Sequence, residues 1–214
     1  MNREQAVDRL ETLVDRVETE PMPVPVREVW AFGDVALGLD PVDRLDVYLT
    51  KDVIMGGDAD AAADFADEYG VKGVGTSVRA EWANAHPDRV RASDNGYAAP
   101  EQCLAAELVA ADEPIHLEVC NASFEDNVRQ RLKGALARDA YEEVLDPRGV
   151  CLWVDGTRDT EAFDRLRVAS LAMPTLPAAL GMLGADETVA NEAADVLKRQ
   201  RAEQEGPSVR GDMV

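Results

Sequence analysis

Val29-Trp30-Ala31-Phe32-Gly33-Asp34-Val35-Ala36-Leu37-Gly38 leads, after Leu39–Val42, into Asp43-Arg44-Leu45-Asp46-Val47-Tyr48-Leu49, and the reading of these two runs decides the fold. The first belongs to Val26–Phe32, a short apolar segment rich in β-formers that stops at Gly33, so a strand is predicted there. Leu45–Leu49 is predicted as a second strand. Along a strand alternate residues face the same way, which puts Arg44 and Asp46 on one side.

Two more strands follow outward from this pair. Pro114–Cys120 contains Ile115-His116-Leu117-Glu118-Val119, where His116 alternates with Glu118 and makes one face polar, either a solvent face or the wall of a site. Val150–Val154 follows the turn residues Asp146–Gly149.

Helices fill the intervals. Val7, Leu10, Leu13, Val14 and Val17 recur at helical spacing ahead of the Pro21–Pro25 stretch. Asp58–Tyr69, Ser77–Ala85 and a segment from Pro100 to Ala111 read as helices, with Pro100 suited to a first helical position. Ser123-x-x-Asp126 has the form of a helix start, and its apolar periodicity runs on to Tyr141. Asp159–Leu171 and a final stretch from Asp186 complete the set.

The order of elements predicts an α/β (α+β) chain, a mixed sheet of about four strands with helices packed on it. Residues 1–173 are expected to form the core, 174–185 a Pro/Gly-rich linker, 186–205 a C-terminal helix and 206–214 a flexible tail. An apolar strip on the last helix, Val189, Ala193, Val196 and Leu197, predicts either a homo-oligomer or protein-partner contact, or packing on the chain's own core.

Charge narrows the class. The 214 residues include 42 acids against 22 bases, for a formal net charge of −20. Lys51, Lys72, Lys133 and Lys198 are the only lysines. Such an acidic, arginine-over-lysine composition with few aromatics resembles that of haloarchaeal proteins. In about 1 M salt the Debye length falls to about 3 Å and self-repulsion is screened. No broad nucleic-acid-binding face is evident. Cys103, Cys120 and Cys151 are few, odd in number and far apart, as expected of buried thiols in a reducing compartment. The N-terminus lacks a signal-peptide core, and the apolar run near Leu171–Leu183 is broken by Pro174, Pro177 and Gly181. A cytoplasmic protein with no membrane partner is expected.

The segment Val29–Leu49 resembles the entry to the active site of the polymerase-β-type nucleotidyltransferase superfamily, especially its minimal members. Phe32 and Gly33 match the apolar-Gly pair, Asp46 matches the second acid, and Glu118 stands where a third acid on an adjacent strand would be. The resemblance implies a nucleotidyltransferase-like fold, with Gly33 and Asp34 at a phosphate-binding turn. It makes Asp43, Asp46 and Glu118 candidate catalytic acids, with Asp46 and Glu118 as magnesium ligands. Two positions depart from it. Asp34 replaces a Ser or Gly, placing negative charge where phosphate would sit. Arg44 occupies the first acid position, with Asp43 one residue out of register. A guanidinium filling the cation site, pairing with Asp46 and Glu118, implies a degenerate, non-catalytic module for nucleotide binding or an adaptor role. Reach of Asp43 and Asp46 to one metal implies an active, divergent magnesium-dependent nucleotidyltransferase. A structural or interaction protein on an unrelated α/β fold is the third reading.

The remaining candidates are weaker. Gly70–Gly75 lacks P-loop order and reads as a loop. His86 reads as a helix-end residue. Arg129, Arg131 and Lys133 form one of the few basic concentrations, for which pairing with the abundant acids is the default.

Overall fold

The computed structural model describes residues 1–56, 59–203 and 207–211. Helix α1 (Arg3–Thr19) opens the chain with a capping box, in which Asn2 accepts from the Gln5 amide and Gln5 reaches back to the Asn2 amide. Strands β1 (Val26–Phe32) and β2 (Leu45–Lys51) pair antiparallel, Phe32 opposite Asp46. Helices α2 (Ala59–Tyr69), α3 (Ala80–Ala85) and α4 (Pro100–Leu108) precede β3 (Ile115–Cys120), which joins β2 in parallel. Helix α5 (Phe124–Arg138), capped by the Ser123 hydroxyl, crosses to β4 (Val150–Val154), which pairs antiparallel with the other edge of β1. After α6 (Thr160–Arg167), α7 (Leu176–Met182) and α8 (Glu187–Glu203), the chain returns to the sheet.

The sheet is mixed, as the alternation of elements predicts, but it has six strands rather than four, in the order β5-β4-β1-β2-β3-β6. The first extra strand, β5 (Thr157–Arg158), folds back on β4 through Asp155 and Gly156, both at positive φ. An Asp-Gly pair between short apolar runs is a strong hairpin signal. The second, β6 (Ser208–Arg210), lies within the stretch expected to be a tail and pairs in parallel with β3. Three residues carry no alternation of their own, so such a strand is defined by the edge it meets. Residues 206 and 212–214 lie outside the described residues. The stretch expected to be a linker holds α7, whose Thr175 hydroxyl caps the Ala178 amide and whose Pro177 sits in the first turn.

Side-chain alternation splits the sheet into two chemically different faces. Val29, Ala31, Leu45, Val47, Leu49 and Leu117 point to one side and are buried with α1, α4 and α6. Trp30, Phe32 and Tyr48 point to the other and pack on Phe124 of α5, with the Trp30 and Phe124 rings stacked at 4.7 Å. A second layer of α5, α7 and α8 encloses Leu132, Ala135, Leu180 and Ala193. Val189, Val196 and Leu197 of the apolar strip are partly buried in that layer. The strip therefore faces the chain's own core, because α8 must cover the polar side of the sheet. No helix among the described residues is long and apolar enough to cross a membrane.

Candidate functional site

The second sheet face carries charge in its middle. Pairing aligns Phe32, Asp46, His116 and Ser208 in one row across β1, β2, β3 and β6, and Tyr48, Glu118 and Arg210 in the next. The polar alternation of His116 and Glu118 thus faces a covered interior, where a charge is costly unless it is paired and hydrogen-bonded.

Asp46 is fully buried. Its Oδ1 accepts from Arg44 Nε at 2.7 Å, and its Oδ2 accepts from Arg201 of α8. Burial pushes the Asp46 pKa above the ordinary carboxylate value, against the pull of Arg201 and Arg44. The same Arg201 nitrogen lies 3.0 Å from Asp34 Oδ1. Asp34 Oδ2 accepts from the backbone amides of Asp43 and Arg44 at 3.1 and 3.4 Å. Asp34 is thus spent on closing its own loop and receiving Arg201, at the turn where the resemblance places phosphate.

Gly33 makes this contact geometrically available. Its φ is +67°, and a Cβ there would overlap Asp46 Oδ2 and the Arg201 guanidinium. The Phe32-Gly33 turn serves the approach of an arginine from α8 to the sheet.

Glu118, 4% exposed, is the second buried acid. Its Oε1 meets His116 Nε2 at 3.1 Å and its Oε2 accepts from Arg131 of α5 at 2.7 Å. Burial pushes its pKa up, but the His116 hydrogen bond and the Arg131 charge outweigh it and hold the carboxyl below its ordinary value. His116 Nδ1 bonds the Ser208 hydroxyl of β6. Arg210 stands beside this group, its guanidinium 4.0 Å from Glu118 Oε1.

A cavity of about 720 Å³ lies over these residues. Its floor includes Phe32, His116 and Glu118, and its roof Leu197, Lys198 and Arg201 of α8. The volume is that of a small-molecule pocket. Arg44, Arg148, Lys198, Arg201 and Arg210 line it against Asp34, Glu118, Asp146 and Asp195. The local balance is slightly positive in a chain whose net charge is −20.

The structure brings Gly33, Asp34, Asp46 and Glu118 to one face of the sheet and leaves Asp43 exposed on the loop before β2. As placed, the residues do not fit a magnesium cage. Both oxygens of Asp46 and both of Glu118 already meet a nitrogen of Arg44, Arg201, His116 or Arg131. Among the described residues no three His, Cys, Asp or Glu side chains gather to hold a metal. Sequence reasoning missed Arg201, Lys198, Ser208 and Arg210. All lie more than 100 residues from β2, and pairing across such a distance has no local signal.

The chain belongs to a family of unknown function (DUF7095), whose sequence profile matches residues 2–214. No curated protein and no solved structure matches it.

Proposed function

We propose that this chain is a non-catalytic binding module of nucleotidyltransferase-like descent, taking a small molecule between the polar face of the sheet and α8. One observation carries the reading. Every carboxylate oxygen of the two acids that would hold magnesium is occupied by the protein's own arginine and histidine nitrogens. Guanidinium groups supply the positive charge that a metal would bring, and they do so without opening the carboxylates to solvent. The concave cavity beside them favours ligand binding over a purely adaptor role.

The test is thermal unfolding in about 1 M KCl with AMP, ATP or GTP, each with magnesium or with a chelator. A ligand at a hundred times its Kd adds about 2.7 kcal/mol. A rise in midpoint that is the same with and without magnesium is expected. A rise that requires magnesium and is lost in Asp46→Ala would restore the active nucleotidyltransferase reading.

A further inference from the structure

The charged groups of the cavity wall are not equally satisfied. Arg148 is held by Asp146 through two hydrogen bonds, at 2.9 and 2.7 Å. Arg44 is held by Asp46. The Arg210 guanidinium makes no hydrogen bond to any described residue, although the side chain is only 27% exposed and its nearest acid oxygen among them, Glu118 Oε1, is 4.0 Å away. Lys198 of α8 lines the cavity at its exposed rim and has no ion pair among the described residues. Arg201 spends one nitrogen on Asp34 and Asp46. On the other side of the account Asp34, Glu118 and Asp146 all have cationic partners, and Asp195 sits exposed on α8. A guanidinium removed from most of its water without an acceptor is costly, and here it lies beside the second guanidinium of Arg131. The same cavity is also lined by the apolar side chains of Phe32, Leu145 and Leu197.

We propose that the cavity is an organic-anion site, in which Arg210 of β6 receives a phosphate or carboxylate group, Lys198 of α8 adds charge at the rim, and Phe32, Leu145 and Leu197 take the ligand's apolar body. This rests on the reading of the cavity as a ligand site and adds the chemical class. The anion completes the hydrogen bonding of Arg210 and offsets the like charge of Arg131. It ties β6 and α8 to the same ligand.

The experiment is calorimetric titration of the whole chain in about 1 M KCl with two matched pairs, AMP against adenosine and phenylacetate against phenylethanol. The charged member of at least one pair is expected to bind about tenfold or more tightly than its neutral partner. Arg210→Gln should erase that preference and Lys198→Gln should reduce it severalfold, while Arg129→Gln, exposed on α5, leaves it unchanged. Equal binding of charged and neutral partners would overturn the anion site and leave the cavity reading standing. A preference that survives in folded Arg210→Gln would also overturn it. Should Arg210→Gln fail to fold, an undiminished preference in Lys198→Gln overturns it instead. No heat from any of the four probes would overturn the cavity reading itself.

Discussion

Replacing Arg201 with alanine tests how α8 is held to the sheet. In the folded chain Asp46 is fully buried and accepts from two guanidiniums, Arg44 on Oδ1 and Arg201 on Oδ2. Stripping a buried acid of its partner costs about 3–5 kcal/mol. Arg44 remains in Arg201→Ala, so the loss is smaller, and Asp34 loses its contact as well. We expect about 2–3 kcal/mol. For a chain of this length each kcal/mol lowers Tm by about 2–4 °C, so the midpoint should fall by about 4–12 °C. Urea is the suitable denaturant, since it leaves ionic strength unchanged while the free energy is extrapolated. Adding Asp46→Asn to Arg201→Ala should recover about 1–2 kcal/mol of coupling in a double-mutant cycle. Arg165→Ala, which breaks an exposed i,i+4 pair with Glu161, is the control at about 0.5 kcal/mol or less. A loss in Arg201→Ala no larger than the control would show that α8 is held by its apolar contacts alone and that Arg201 does not stand in for a metal at Asp46.

Three further outcomes are expected. Gly33→Ala should cost at least about 2–3 kcal/mol in urea unfolding, from the positive φ and the overlap with Asp46 and Arg201; a cost below about 1 kcal/mol would mean that the loop relaxes freely. Glu118 has a folded pKa below its unfolded value, so its contribution is present above about pH 4.5 and is lost as pH falls through the folded pKa. Asp46 is shifted the other way, so its contribution is present at low pH and is lost as pH rises through its folded value. Stability measured over about pH 3–7 should therefore show a shallower acid loss in Glu118→Gln and a steeper one in Asp46→Asn. Lowering KCl from about 1 M to about 0.1 M lengthens the Debye length from about 3 to about 10 Å; the net charge of −20 should then lower the unfolding midpoint, and an unchanged midpoint would remove the salt-adaptation reading.

Local signals explain which parts of the structure were legible in the sequence. Val26–Phe32 and Val150–Val154 were readable to the residue, because each is a short run of β-formers bounded by turn residues. Ser123 announced the start of α5 through its capping pattern. Helix α5 stops at Arg138 rather than Tyr141 because Asp139 takes the left-handed conformation, which apolar periodicity does not report. Strand β6 and helix α7 were illegible for different reasons. The first exists only through its pairing with β3, and the second begins behind prolines that the eye takes for a linker. At the site, Asp46, Glu118, Gly33 and Asp34 stood out through the resemblance of Val29–Leu49 to a nucleotidyltransferase entry, and the polar alternation of His116 and Glu118 was visible in the strand itself. The short separation of Arg44 from Asp46 also made that pairing readable. The contact of Arg201 with Asp46 spans 155 residues and is set by the docking of α8, which no spacing rule encodes.

That docking explains why the charged face persists. A buried ion pair contributes little net stability compared with well-packed apolar residues, so Asp46, Glu118, Arg131 and Arg201 are poor choices if their only task is to hold the sheet to its cover. Their arrangement does something an apolar layer would not. It satisfies every carboxylate oxygen of Asp46 and Glu118, while among the described residues the Arg210 guanidinium has only a 4.0 Å contact with Glu118 and Lys198 stands exposed at the cavity wall. The cavity draws its wall from the β1–β2 loop, from β3 and from α7, α8 and β6, so it is complete only when the C-terminal elements have docked. Arg201 joins α8 to Asp34 and Asp46, and the Ser208–His116 bond joins β6 to β3. The polar network is therefore what holds the C-terminal elements over the sheet and forms the cavity between them.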